Sequence, residues 1–249
     1  MSLHRRTLLA SSAAALWPVP AARAQQGRPW VADVIDIAPW GRPGANGAVG
    51  GVYGEVFRRL SQLSGCAMDL RLVPIGRAVA EVSSGAAQAT MMLEREDLNR
   101  AAVSLGTVTT LEIEVWLPKG SPVRGLDDLA GKTVATLRGP AYHEEFDADN
   151  RILKYQVANA RQQLEMMRKG RLDGALGVRQ NFLVAMHELG WGGDQFADPV
   201  WLGSRRVLLW VAPGLREAPC TRRVSDALAT MRRSGEIDRM VAKAVYAKV

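Results

Sequence analysis

The side chains able to do acid–base, nucleophilic or metal chemistry in this chain are few, and their spacing argues against a reactive centre. Of 3 histidines, His4 lies near the N-terminus, leaving His143 and His187. Neither has a serine, a cysteine or a set of metal ligands at working spacing around it. His143-Glu144-Glu145 lacks the second histidine of a zinc-protease helix. His187, beside Glu188 in a helical pattern, reads as a surface residue. Glu94 and Glu144 are the carboxylates that could serve as acid or base, but a carboxylate alone is a thin warrant for catalysis. Arginines are more informative. Arg95 and Arg100 belong to the charged run Glu94 to Arg100, and Arg77 opens a helical stretch with Glu81 four residues on. A guanidinium grips a carboxylate through two parallel, charge-assisted hydrogen bonds, or it pairs with an acid one helical turn away.

Charge as a whole points away from nucleic acid. The chain has 249 residues and a formal charge of +7. Its first residues resemble an address: Arg5 and Arg6 precede the short, mostly apolar run Leu8 to Trp17, followed by Pro18, Pro20 and the small-residue pattern Ala22-Arg23-Ala24. This predicts a signal peptide over 1–24, cleaved after Ala24, and His4-Arg5-Arg6-Thr7-Leu8-Leu9 suits the twin-arginine (Tat) route. Its apolar run is well below the roughly 20 residues that span a bilayer. Cleavage removes Arg5, Arg6 and Arg23, taking the basic count from 32 to 29 against 25 acidic residues, a balance of +4 over 225 residues. The remaining basic residues are dispersed, without interleaved aromatics on one helix, so no nucleic-acid partner is expected.

Both cysteines would meet an oxidising compartment after export. Cys66 follows Gly65 at the end of a helical pattern, and Cys220 follows Pro219 before another. They are either bridged or two buried thiols, a choice that sequence distance cannot make.

The elements that must position these groups alternate between strand and helix. Val31 to Ile37 is strand-like; a glycine-rich loop follows, and Val52, Val56, Phe57, Leu60 and Leu63 form one helical stripe. A short strand around Leu70 and Leu72 ends at Pro74, a helix covers Arg77 to Ser83, and Gln88 to Met92 is a buried strand. Leu111, Ile113, Val115 and Leu117 alternate with Glu112, Glu114 and Trp116 as the cleanest strand. A second series then begins: strands at Thr133 to Leu137, Ile152 to Val157 and Asp173 to Val178, with helices at Tyr142 to Ala148, Asn159 to Lys169 and Asn181 to Leu189. Val207 to Ala212 is a late strand before two C-terminal helices. Gly85-Ala86-Ala87-Gln88-Ala89-Thr90 is echoed by Gly170-Arg171-Leu172-Asp173-Gly174-Ala175, so each half reads as a βαβαβ unit and two α/β lobes are implied.

Several local strings, in this order, resemble one family. They are Ala38-Pro39-Trp40, Gly51-Val52-Tyr53 to Gly65, Pro74-Ile75-Gly76-Arg77-Ala78, the run Gly125 to Val134, Arg138-Gly139-Pro140-Ala141-Tyr142 and Gly170 to Ala175. Together they are similar to the periplasmic type II solute-binding proteins of extracellular family 3, the amino-acid-binding-like components of ABC transporters. The resemblance implies an α/β, two-lobed fold joined by two crossing strands, expected at Leu111 to Leu117 and Pro199 to Arg206. It implies a first lobe over 25–114 and 205–249, a second over 115–204, and hinge closure on a ligand between them.

The same resemblance nominates ligand-binding residues. Counting from the Gly85 motif places Arg100 where the family's arginine holds a carboxylate, with Arg95 in reserve. Trp40 stands where an aromatic often faces the ligand, and Arg77 begins a helix beside the cleft. Gly139 to Tyr142 corresponds to a loop whose N–H groups cradle a carboxylate, although Pro140 removes one donor. Amino-acid binders place an aspartate, partner of the ligand's ammonium group, five residues after the motif aspartate. Here that position is Val178, with Gly177, Arg179 and Gln180 around it. A buried ammonium without a partner is costly, so a carboxylate-bearing or other polar solute is favoured over an ordinary amino acid. The expected role is a periplasmic, monomeric, non-enzymatic binding protein that serves an ABC permease without a cofactor or metal. Two alternatives stand beside it: a cleft enzyme resembling the cyclic-carboxylate dehydratases of this fold, and a ligand sensor for a separate membrane receptor.

Overall fold

The computed structural model describes residues 28–246; the expected export signal lies outside them. Strand β1 (Trp30–Ile35) is buried almost throughout and takes the centre of the first half-sheet. After it the chain makes a small hairpin, β2 (Arg42–Pro43) with β3 (Val49–Gly50), and enters α1 (Val52–Ser64). Val52, Val56, Phe57 and Leu60 of the expected stripe are buried, whereas Leu63 is 41% exposed. Next come β4 (Met68–Val73), α2 (Ile75–Ser84), β5 (Ala89–Leu93) and α3 (Glu96–Ala101). β4 and β5 flank β1, both parallel to it, as helical crossovers require.

The second half repeats the plan. After β6 (Val103–Trp116) come β7 (Thr133–Leu137), α4 (Glu144–Ala148), β8 (Leu153–Val157), α5 (Ala160–Arg168), β9 (Gly174–Val178) and α6 (Arg179–Leu189). β7 takes the central place, parallel to β8 and β9. The return strand β10 (Val200–Val211) leads to α7 (Pro219–Arg233) and α8 (Glu236–Tyr246).

One 8-stranded sheet results, in the order β4-β1-β5-β10-β6-β9-β7-β8. The two central strands belong to both halves. β6 starts at Val103, eight residues before the expected crossing, and β10 fuses the expected crossing and the late strand into one element. They run antiparallel from Val103 opposite Val211 to Val115 opposite Val200, with register shifts near Trp201, Val207 and Leu208. Sequence periodicity missed Val103 to Thr110 because its threonines, serine and glycine weaken the apolar alternation, while antiparallel pairing to β10 supplies the order that hydrophobicity does not.

Two long-range ties hold this frame. Gln163 on α5 is buried and donates from Nε2 to Ala135 O and Leu176 O, each at 3.0 Å, joining the helix to β7 and β9. Cys66 and Cys220 form a disulfide with Cα atoms 5.9 Å apart, stapling the start of α7 to the loop after α1. Arg223 donates to both sulfurs at 3.2 and 3.1 Å.

Candidate functional site

The halves face each other across a small, partly open cavity of about 40 Å³ beside the crossing strands. From the first half it is lined by Ile35, Ile37, Trp40, Tyr53, Ile75 and the segment Met92 to Arg95; Leu111 of β6 forms its floor. The second half contributes Pro140, Ala141, Tyr142, Val178 and Asn181. Its wall is mostly apolar, with a few polar groups converging on it, the usual character of a small-molecule site.

Trp40 is placed by the start of α1. Gly51 adopts φ +87°, and a Cβ there would lie 2.6 Å from Trp40 O and 2.8 Å from Pro39 O, so only glycine lets the chain turn so close. The first helical N–H groups then find those carbonyls: Val52 N donates to Pro39 O at 3.0 Å and Tyr53 N to Trp40 O at 2.8 Å. The Trp40 indole stacks on Tyr53, with centroids 5.3 Å apart. Its Nε1 donates across the cleft to Asn181 Oδ1 at 2.7 Å. Burial pushes the Tyr53 phenol well above its usual range, so the ring stays neutral.

Arg95 caps the inner wall just before α3. It donates to both carboxylate oxygens of Asp97, at 2.6 and 2.8 Å, and across the cleft to Gly139 O at 3.3 Å. Burial alone would raise the Asp97 carboxyl; the Arg95 hydrogen bonds and charge, with the Leu98 N–H, hold it below the usual carboxylate range. Arg205 on β10 joins the loops from beneath. It donates to Glu94 O at 2.6 Å and Tyr142 O at 2.9 Å, one contact in each half.

One N–H of the expected anion cradle at Gly139 to Tyr142, that of Tyr142, already has a partner within its own half. Asp147 of α4 turns back and accepts from Tyr142 N at 3.0 Å and His143 N at 3.1 Å. An acidic residue at the start of a short helix was the available sequence signal for this. Gly139 has φ +105°, and a Cβ added there would lie 3.4 Å from the Ile75 side chain of the first half. Tyr142 is buried, and burial followed by the nearby Asp147 charge pushes its phenol far up.

Three expectations for arginine therefore separate. Arg95 lines the cavity. Arg100 does not: it projects from exposed α3 and pairs with Glu96 at 3.3 Å, because the helix turns buried Leu98 inward and leaves Arg100 outside. Arg77 also stands outside, exposed on α2 and paired with Glu81 at 2.6 Å. Glu94, the one acidic residue along the wall, turns its carboxylate to Arg206 through bonds of 2.8 to 3.0 Å. Glu144 is exposed at the start of α4, and His143 caps that helix through Nδ1. Among the described residues no group of three or more histidines, cysteines or acids is gathered for a metal ion, and no helix is long and apolar enough to cross a membrane. Asn181 and Arg205 carried no recognised motif, since their partners lie far away in the chain.

Neither a protein-family model nor a curated relative matches the sequence. Solved structures do match in fold. A histidine kinase sensor domain with similarity to periplasmic binding proteins superposes with a TM-score of 0.74 at 20% identity, covering 89% of this chain and 97% of that one. The ligand-binding core of GluR0 from Nostoc punctiforme, solved with L-glutamate, gives 0.72 at 14% identity, with 87% and 99% covered. A solute receptor for L-cysteine of Neisseria gonorrhoeae gives 0.70 at 18% identity, with 89% and 93% covered. The chain therefore has the two-lobed fold of type II periplasmic binding proteins, with its cavity at the junction of the lobes.

Proposed function

We propose that this protein is an exported solute-binding protein that closes on a small, carboxylate-bearing solute and hands it to an ABC permease. The observation that carries the reading is the inner cavity's chemistry: one guanidinium, Arg95, in an otherwise mostly apolar wall, with Val178 buried where amino-acid binders carry aspartate. In this reading Arg95 exchanges part of its Asp97 contact for the solute carboxylate, and Trp40 and Tyr142 close over the solute body. Among the described residues that line the cavity the one carboxylate, Glu94, is paired with Arg206, which favours monocarboxylates without an ammonium group. The lobes are 25–114 with 205–249 and 115–204, hinged on β6 and β10. Arg205 steadies the closed form by holding a loop of each lobe. Export by the signal over 1–24, a periplasmic location and a monomeric state complete the proposal.

A thermal-shift screen of organic acids, amino acids, polyamines and peptides tests it, because a ligand that binds only the folded form raises the melting temperature. A shift for monocarboxylates supports the reading; no shift across the set, with turnover of a cyclic carboxylate, overturns it. Sensing for a membrane receptor is the second reading, favoured by the likeness to a kinase sensor domain.

A further inference from the structure

The interface between the halves holds a second and larger cavity, of about 240 Å³. Its lining includes sequence neighbours of the Trp40–Asn181 pair: Pro39 precedes Trp40, and Val184 lies about one helical turn past Asn181. This outer chamber differs from the inner cavity in chemistry as well as size. Arg42 and Glu55 reach it from the first half, Lys243 from α8, and His187 and Glu188 from α6. Among the described residues none of these five side chains is in an ion pair or a side-chain hydrogen bond, although charges of both signs surround one volume. Val52, Val184 and Met240 give it an apolar wall between those charges.

Two cations and two carboxylates without partners around a recess match a molecule that carries both charges itself, since each end then exchanges water for an opposite charge. A chamber of this volume takes about eight non-hydrogen atoms, judged from the roughly 30 Å³ each water occupies in the liquid. We propose that the outer chamber is a second binding site, for small dipolar solutes bearing a carboxylate and an ammonium group. Arg42 and Lys243 take the carboxylate, Glu55 and Glu188 the ammonium. Because α6 belongs to one half and the other walls to the rest, an occupant touches both sides and favours the closed arrangement. The chamber shares no lining residue with the inner cavity.

Calorimetry with 6-aminohexanoate, hexanoate and hexylamine, on Arg95→Ala protein so that the inner cavity does not compete for carboxylates, tests the assignment. The dipolar compound is expected to bind at least about tenfold more tightly than either singly charged analogue. Glu188→Gln or Lys243→Met each weakens it about fivefold, the scale of a single exposed charge pair. Both positions are exposed, and an unchanged melting temperature verifies the fold of each variant. Arg42→Met combined with Lys243→Met is expected to erase the preference, so that hexylamine then binds as well as 6-aminohexanoate. Absence of 6-aminohexanoate binding in the Arg95→Ala background, equal affinity for hexylamine and 6-aminohexanoate, or affinity indifferent to Glu188→Gln and Lys243→Met would each overturn the proposal. Arg95→Ala removes the proposed carboxylate contact of the inner cavity from every measurement, so a failure here is distinct from a failure of the inner-cavity reading.

Discussion

Arg95 and Arg100 differ by five positions, and one lines the cavity while the other pairs with Glu96 in solvent. Counting along a motif favours Arg100, but α3 begins at Glu96, so a helical turn carries Arg100 to solvent while Arg95 stays extended at the cavity wall. Arg95→Ala is expected to weaken carboxylate binding about tenfold or more, the cost of one charge-assisted contact, while Arg100→Ala leaves it unchanged. Titration calorimetry with a monocarboxylate from the thermal-shift screen reads both. A second residue outside the site deserves a pH experiment. Asp33 is fully buried on β1, accepts from Arg71 at 3.0 and 2.8 Å, and has one carboxylate oxygen without a partner. Burial pushes its carboxyl up to about 6, against the opposing pull of Arg71, which also pairs with Glu81. The folded state therefore holds this proton more tightly than the unfolded chain does. Its stabilisation is complete below about pH 4 and is lost as pH rises through about 6, a fall of at most about 3 kcal/mol. Asp33→Asn is expected to flatten that part of the stability curve, measured by denaturant unfolding from pH 4 to 7; a parallel curve would refute it.

At the scale of elements, the turn into α1 decides where Trp40 sits. Gly51 has positive φ and two carbonyls against its Cα, so Gly51→Ala combines left-handed strain with a steric clash. The expected loss is about 2 kcal/mol or more, seen as a lower melting temperature. Disturbed Trp40–Asn181 bonding should also shift the tryptophan emission. Most helices and parallel strands were legible because their apolar residues recur at helical or buried-strand spacing. The first half of β6 was not, since Thr107, Thr109 and Thr110 gain their strand geometry from pairing with β10, a hundred residues away in sequence. The partner of the Tyr142 N–H was legible in part: Asp147 is local to it, yet nothing in composition says which way its carboxylate turns.

For the molecule as a whole, the disulfide ties two distant parts of one half. Its cysteines are 154 residues apart in sequence, and in the chain-entropy account such a cross-link stabilises by up to about 5 kcal/mol. Reduction, or Cys66→Ala with Cys220→Ala, should lower the melting temperature markedly while the fold at 25 °C persists. Equal melting curves with and without reductant would show that the staple adds nothing. The sheet that both halves share is the other global feature. Among the described residues its central pair, β6 and β10, carries the sheet from one half to the other, and the proposed closure would turn on it.

By itself, the sequence determined the alternation of strands and helices, the two-lobed α/β class and the valine at position 178, because these rest on local periodicity and on identities at counted positions. It also narrowed the basic residues of interest to a few arginines. Only the tertiary structure decided which of them meets the cavity, what the Tyr142 N–H of the Gly139 to Tyr142 loop meets, that Trp40 bonds to Asn181, and that Cys66 lies beside Cys220. Each of these depends on where a helix begins or on two segments far apart in the chain meeting, and the periodicity of either segment alone carries no record of its partner.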